Sequence, residues 1–318
     1  MSFAWDVRGE LARLPVSEAC CARSELTAAL LCSGGIAWRG KGRYAVTITA
    51  ADGATVRRFF SVLKQFWGII GQIRTLTGDA LNAQTRYQLA VPEESATALL
   101  EALMLLDDGA LFGVRPLPAE EIIRFACCKK SFLRGAFLMC GSIAHPDREY
   151  HAEFAAPTEA LAFSIANLLR YFSIEPGIVG RKTKWVVYLK RAEDISDLLS
   201  LLGAGKAMME FENIRVNKDI RNRINRMLNC DQSNINRAMA AAEQQIADIR
   251  YIDAEMGLDR LPKSLKETAL ARLNYPDASL SDLGELLVPS ISKSGVNTRL
   301  RKLTAIAEKL RAGEDVEI

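Results

Sequence analysis

Three stretches of this 318-residue chain carry side chains that could do chemistry. The first is Gly35-Ile36-Ala37-Trp38-Arg39-Gly40-Lys41, which has the G-x-x-x-x-G-K spacing of a phosphate loop. A working loop continues with Ser or Thr for magnesium and leads from a strand into a helix. Here Gly42 stands in that place, and the stretch leaves a helix to enter a strand, so a lysine-bearing turn is expected instead. The second is the cysteine set: seven in all, four of them as the vicinal pairs Cys20-Cys21 and Cys127-Cys128. They lack the C-x-x-C spacing of a zinc site, and the histidines are His145 and His151 alone. Buried small hydrophobes are the expected role, and reduced thiols in a cytosolic setting the expected state.

The third stretch is the basic C-terminal end. From Pro289 to Arg311 six Lys/Arg stand against one acid, Glu308. Leu280, Leu283 and Leu287 form the inward face of a short helix, and Val296, Leu300 and Leu303 that of a longer one, with a turn over Val288 to Ser292 between them. This is the spacing of a helix-turn-helix. The outward positions of the second helix include Ser294, Asn297, Thr298, Arg301 and Lys302. Asn and Arg can read adenine and guanine edges with paired hydrogen bonds, and Ser292 and Lys293 at the turn can hold phosphate beside a helix N-terminus. The alternative is an ordinary three-helix bundle with a basic surface helix. The whole-chain balance, +3, does not decide between them; the local distribution favours DNA.

The elements that must position these residues are organised by a repeat. Cys20 to Ile36 (CCARSELTAALLCSGGI) and Cys127 to Ile143 (CCKKSFLRGAFLMCGSI) align without a gap at a shift of 107, with 8 of 17 positions identical. Each copy is expected as a helix capped by Ser24 or Ser131 and stopped by Gly34 or Gly141 in the left-handed conformation. Small residues along both (Ala28, Ala29 and Ser33; Gly135 and Ala136) predict a close pseudo-twofold pair. After the first copy come a strand over Arg43 to Thr49, a turn at Asp52-Gly53, a helix over Val56 to Phe66, strands over 72–77 and 86–91 around Gly78-Asp79, and a helix over 93–106. After the second come an extended Tyr150 to Ala155, a helix opened by Pro157-Thr158-Glu159, strands over 174–179 and 185–189 around a basic turn, and a helix over 194–202. Each repeat thus reads αββαββα, and the two sets of strands are expected to join edge to edge in one curved sheet.

Composition changes after Gly203-Ala204-Gly205. The next stretch is rich in Asn, Arg and Ala and reads as two helices broken near Asn229 to Ser233. Its cations include Arg215, Arg221, Arg223 and Arg226. The expected division is 1–106 (N-terminal helix and first repeat), 107–205 (second repeat), 206–260 (helical connector) and 261–318 (DNA-binding domain). The start, MSFAWDVRGEL, is polar and charged, without a secretory leader, and no apolar run reaches transmembrane length.

The second repeat helix, Phe132 to Ile143 (FLRGAFLMCGSI), resembles the LAGLIDADG motif of homing endonucleases, F-L-A-G-L-I-D-A-D-G-S-I. That resemblance implies an α+β fold in which paired repeats form a saddle over duplex DNA. It also implies metal-binding acids just before the final glycine. Ser33 and Cys140 occupy those two positions, and neither replaces a carboxylate for Mg²⁺, so these metal positions are degenerate. A LAGLIDADG-like pair followed by an all-α helix-turn-helix domain is similar to the WhiA family of bacterial regulators. The match is carried by the CC-S-x-L opening, Glu212 to Asn236, Tyr251-Ile252-Asp253, Gly257-Leu258-Asp259 and Ile291 to Asn297.

The resemblance implies a non-enzymatic, cytoplasmic, nucleoid-associated transcription factor linked to sporulation, cell division or chromosome segregation. No cofactor is implied. Double-stranded DNA is the expected partner, with a partner regulator or RNA polymerase beside it, and no membrane. Secondary DNA contacts are expected from Arg181, Lys182, Lys184, Arg215, Arg221, Arg223 and Arg226, with Arg74 and Arg86 as further cations on the sheet. Two other readings stay open at this point. One is a metal-dependent nuclease using displaced acids, drawn from Asp52, Asp79, Glu149 and Glu153. The other is a scaffold that binds DNA weakly without a partner regulator.

Overall fold

The computed structural model describes residues 2–33, 35–76, 85–107 and 113–314. Gly34, Gly78 and Asp79, to which the sequence assigns a helix stop, a turn and a candidate acid, lie outside the described residues. Two compact units divide between Asp219 and Ile220.

In the first unit, α1 (Phe3–Leu11) precedes α2 (Ala19–Ser33), β1 (Ile36–Gly40), β2 (Arg43–Ala50), α3 (Gly53–Trp67), β3 (Gln72–Leu76), β4 (Arg86–Ala90) and α4 (Glu93–Ala102). The second repeat runs α5 (Ala126–Cys140), β5 (Gly141–Ile143), β6 (Ala152–Ala156), α6 (Glu159–Tyr171), β7 (Gly177–Arg181), β8 (Lys184–Leu189) and α7 (Ala192–Leu202). The αββαββα order therefore holds in both. The strands make two separate antiparallel sheets of identical topology, β1-β2-β4-β3 and β5-β6-β8-β7, in place of the single sheet expected. Alternation explains their faces: Tyr44, Val46, Ile48 and Ala50 of β2 turn inward to the core, and the residues between them remain partly open. Asp52 accepts from the Thr55 N–H (2.7 Å), so it caps α3 rather than forming a hairpin turn. Thr158 caps α6 in the same way.

What joins the two repeats is the packing of α2 against α5. A Cβ added to Gly135 would fall 2.3 Å from the Glu25 carbonyl oxygen, so only glycine permits this approach. Beside it a buried ionic cluster crosses the seam. Glu25, fully buried, pairs with Arg58 of α3 (Nη2 to Oε2 2.8 Å) and with Arg134 of α5 (3.6 Å), whose Nε also donates to the Leu202 carbonyl at 2.8 Å. Burial pulls the Arg134 guanidinium below its ordinary range, and Glu25 opposes that pull.

The repeat helices begin earlier than their serines suggest. Ser24 and Ser131 are buried inside α2 and α5, not caps, and Ser24 donates to the Ile122 carbonyl. The cysteine pairs occupy the first turns. Gly141 is extended (φ −81, ψ 148), not left-handed. Its lack of Cβ matters because that atom would sit 2.4 Å from the Phe137 ring.

α8 (Gly205–Met256) is one continuous helix, where a break near Asn229 to Ser233 is expected from sequence. Its start is capped by Glu10, whose two carboxylate oxygens accept from the Lys206 and Ala207 N–H groups at 2.8 and 2.9 Å. Asn lowers helix propensity modestly, but here polar side chains turn outward and tie along the helix, as in Gln232 to Asn236 (2.9 Å) and Arg237 to the Ser233 carbonyl (3.2 Å). In the second unit, α9 (Lys263–Asn274), α10 (Leu280–Leu286) and α11 (Lys293–Arg311) pack with Ile249 and Ile252 of α8 around a core of Leu265, Leu283, Val296, Leu300 and Leu303. Arg272 holds the α9–α10 turn by donating to the Ala278 and Pro276 carbonyls (2.7 and 3.2 Å).

Candidate nucleic-acid interface

α10 and α11 form the helix-turn-helix. Ser279 opens α10 through a capping box with Asp282. The turn folds back tightly onto α10: the Ile291 N–H donates to the Gly284 carbonyl at 3.0 Å, and a Cβ on Gly284 would meet the Ile291 carbonyl oxygen at 2.2 Å. Gly284 thus fixes the turn, a role that sequence reading missed because a glycine inside a short apolar helix carries no spacing signal.

Ser292 caps α11 by accepting from the Gly295 N–H at 3.3 Å, and its hydroxyl pairs with that of Ser294 at 2.9 Å. Val296, Leu300, Leu303 and Ala307 are buried on one side of α11. At 100° per residue the opposite side carries Ser294, Thr298, Arg301, Lys302 and the small Ala305. All five are exposed, and Asn297 stands half-buried at the edge of the stripe. Thr298 is tied back to the Ser294 carbonyl (2.9 Å). Ser292, Ser294, Thr298 and Lys302 line a shallow cleft with Ser264 and Arg299. Arg299 is committed inward, donating to the Ser264 carbonyl at 3.2 Å. The structure therefore gathers Ser294, Thr298, Arg301 and Lys302 on one open face with a helix N-terminus at one end, while Lys293, about 60° from Val296 around the helix, lies off that face and lines a separate cleft with Ala278 to Ser281.

The secondary cations divide. Arg181 and Lys184 face one another across β7 and β8, not within a loop, and Lys182-Thr183 is the turn. Arg181 is paired with Glu153 (3.4 Å), which also meets His151 (3.2 Å); His151 stacks on Tyr188. Arg215 is bonded to Glu193 at 2.7 Å and Glu212 at 3.4 Å. Arg221, Arg223 and Arg226 are exposed along α8, with Arg226 bonded to its own helix at the Asn222 carbonyl (3.2 Å). Arg74 and Arg86 are exposed on the first sheet, where Arg74, Gln88 and Thr49 stand side by side across β3, β4 and β2.

The degenerate metal positions, Ser33 and Cys140, are the last residues of α2 and α5. Arg8 of α1 donates to the Gly141 carbonyl at 2.6 Å and interacts electrostatically with Asp52 and Cys140. Desolvation lowers its pKa, and those two groups work against the shift. Cys32 is hydrogen-bonded to Cys140, and that bond, with desolvation, holds its thiol well above the usual range. A guanidinium therefore stands where nuclease chemistry would require concentrated negative charge. Of the displaced acids, Asp52 serves as the α3 cap, Glu153 is paired as above, and Glu149 is exposed.

The cysteine pairs correct a further expectation. Cys20 and Cys127 are exposed and Cys21 is half-buried, leaving Cys128 as the buried member.

Residues 19–106 match the WhiA N-terminal LAGLIDADG-like domain, 129–221 the WhiA LAGLIDADG-like domain and 224–307 the WhiA C-terminal HTH domain. The "Probable cell division protein WhiA" of Desulforamulus reducens is 36% identical over 315 residues, covering 99% of this chain and 98% of its own. That of Natranaerobius thermophilus is 38% identical over 310 residues, 98% and 96% of the two chains. The crystal structure of full-length DUF199/WhiA from Thermatoga maritima shares the fold, with a TM-score of 0.58 at 23% identity over 97% of this chain and 98% of that one. Among the described residues no helix is long and apolar enough to cross a membrane. With all three of its domains matched and relatives aligned over nearly its full length, the chain belongs to the WhiA family.

Proposed function

We propose that this chain is a sequence-specific, double-stranded-DNA-binding transcription regulator that works on the nucleoid in the cytoplasm. The observation that carries this reading is the exposed stripe of α11, whose Arg301 and Lys302 have no acidic partner among the described residues. Asn297 and Arg301 contact base edges. Ser292, Lys293, Ser294, Thr298 and Lys302 position the helix on phosphates. Lys182, Lys184, Arg221, Arg223 and Arg226 add sequence-independent attraction, whereas Arg181 and Arg215 are engaged by acids and contribute least. Segment 261–318 is the base-reading module, 206–260 its connector, and repeats 1–106 and 107–205 the platform that meets further DNA, a partner regulator or RNA polymerase. The name carried by the relatives supports a role in cell division, and chromosome segregation and sporulation belong to the same regulatory setting.

The repeat pair does not act as a nuclease in this reading. Ser33 and Cys140 supply no carboxylate, and Arg8 beside Cys140 opposes a divalent cation there. Purified protein incubated with plasmid and Mg²⁺ or Mn²⁺ is expected to leave it intact. Specific nicking that disappears on substituting Asp52 or Glu153 would overturn that part. For DNA recognition, genome-wide footprinting followed by binding-shift assays on the recovered sites is the test. Binding with no preference over scrambled duplex contradicts it.

A further inference from the structure

We propose that Cys20, Cys21, Cys127 and Cys128 form a tetrathiolate site for one thiophilic divalent cation, zinc by preference, that staples the N-terminal ends of α2 and α5. The proposal stands on the fold of the first unit alone and is independent of the DNA-binding reading. The four Sγ atoms all lie within 4.8 Å of one another, and those of Cys127 and Cys128 are 4.0 Å apart. A tetrahedral zinc with Zn–S bonds of about 2.3 Å has sulfur–sulfur edges of about 3.8 Å. Small rotations about the Cα–Cβ bonds close that difference, so the backbone is already in place.

Sequence spacing gives no hint of this because the usual motif supplies both ligands of a half-site from one loop. Here each half-site is a vicinal pair at the second and third residues of a helix, and the halves are 107 positions apart. The pseudo-twofold relation of the repeats puts the cation where neither repeat alone could hold it. The buried hydroxyls beside the site obey the same symmetry: Ser131 of α5 lies next to Cys21 of α2, and Ser24 of α2, whose proton goes to the Ile122 carbonyl, lies next to Cys128 of α5. Packed neighbours of this kind hold ligand side chains in place. This gives the two repeat serines a role that capping does not. Exposed Cys20 and Cys127 provide the entry side, and the floor is closed by buried Cys128, Ser24 and Ser131.

The geometry selects among thiol chemistries. A disulfide within either pair is disfavoured because neighbouring Cα atoms are about 3.8 Å apart, short of the roughly 4.4–6.8 Å that a disulfide spans. An iron–sulfur cluster interposes several iron and sulfide atoms and needs its cysteine sulfurs spread more widely. Soft thiolates do not select magnesium or calcium. Binding is not a redox step. Four Cys–SH and one aqueous Zn²⁺ give Zn(S–Cys)₄ with net charge −2 and four protons released to solvent. The unpaired N–H groups and positive dipole ends of α2 and α5 offset that charge. The site lies at the end of the helix pair opposite Ser33 and Cys140, about 20 Å away for 15-residue helices. It is therefore separate from the degenerate nuclease positions.

The test uses the full chain, reduced and handled without oxygen, then loaded with Zn²⁺ or Co²⁺ and desalted. One metal per chain is expected, with cobalt giving the visible and near-ultraviolet bands of a tetrahedral tetrathiolate. The double variant Cys20→Ser/Cys127→Ser, both substitutions at exposed positions, should lose stoichiometric binding while keeping its circular dichroism. Cys230→Ser should bind one metal as the parent does. Metal below one half per chain in the reduced parent would overturn the proposal. So would a cobalt spectrum of fewer than four thiolates, or a Cys21–Cys128 disulfide persisting under the same reducing conditions.

Discussion

α11 and the β7–β8 hairpin both present clustered Lys and Arg, yet their side chains have different commitments. On α11, Arg301 and Lys302 stand exposed on a stripe opposite the core, with no acid across from them among the described residues. On the hairpin, Arg181 is bonded to Glu153, and Glu153 in turn to His151. Arg58 and Arg134 complete the series, both paired with buried Glu25 and both also donating to backbone carbonyls. Counting cations along the sequence treats all of these alike. The difference is whether an acid from a distant element already neutralises the charge, and only an uncommitted cation can exchange counterions for DNA phosphate.

The comparison predicts a graded set of effects. The largest is on stability. Glu25→Ala leaves Arg58 and Arg134 without their shared partner in the seam, and a loss of about 3–5 kcal/mol is expected in denaturant unfolding. A loss below 1 kcal/mol would show that the cluster is not committed as described. Next is recognition. Asn297→Ala and Arg301→Ala should each lower discrimination against a mismatched site by about 1–3 kcal/mol, read by competition binding, with little change in unfolding midpoint.

A smaller effect is expected from Lys302→Ala. It should weaken binding evenly across sequences and reduce the slope of log affinity against log salt by about one. The smallest concerns the hairpin. Arg181→Ala should leave DNA affinity nearly unchanged, since exposed pairs contribute roughly 0–1 kcal/mol. Glu153→Gln should instead raise non-specific binding by freeing that arginine. An unchanged affinity in Glu153→Gln would place the second sheet away from DNA.

Much of this fold was legible from local pattern. Alternation located β2. The residue type of Thr158 marked the start of α6, and the leucine spacing of α10 and α11 gave the helix-turn-helix, whereas the Ser292 cap of α11 looked like part of the turn. What sequence did not show depends on partners far along the chain. Ser24 and Ser131 look like caps because capping residues and buried hydroxyls share a residue type, and only the earlier helix start distinguishes them. The α8 break was expected from Asn propensity, a weak local preference that side-chain ties and the Glu10 cap outweigh. Arg8 and Glu25 gave no signal because their partners lie 133, 33 and 109 positions away. The vicinal cysteines were read one repeat at a time, and their proximity exists only across the seam.

In the proposed function, uncommitted side chains on α11 read the DNA sequence. The most direct measurement compares the parent with Asn297→Ala/Arg301→Ala in binding to a footprinted site and to its scrambled duplex at one fixed salt concentration. The parent is expected to prefer its site by about 1,000-fold or more. The variant should approach the scrambled affinity for both duplexes while remaining folded. A folded variant that keeps the parent's preference would contradict it.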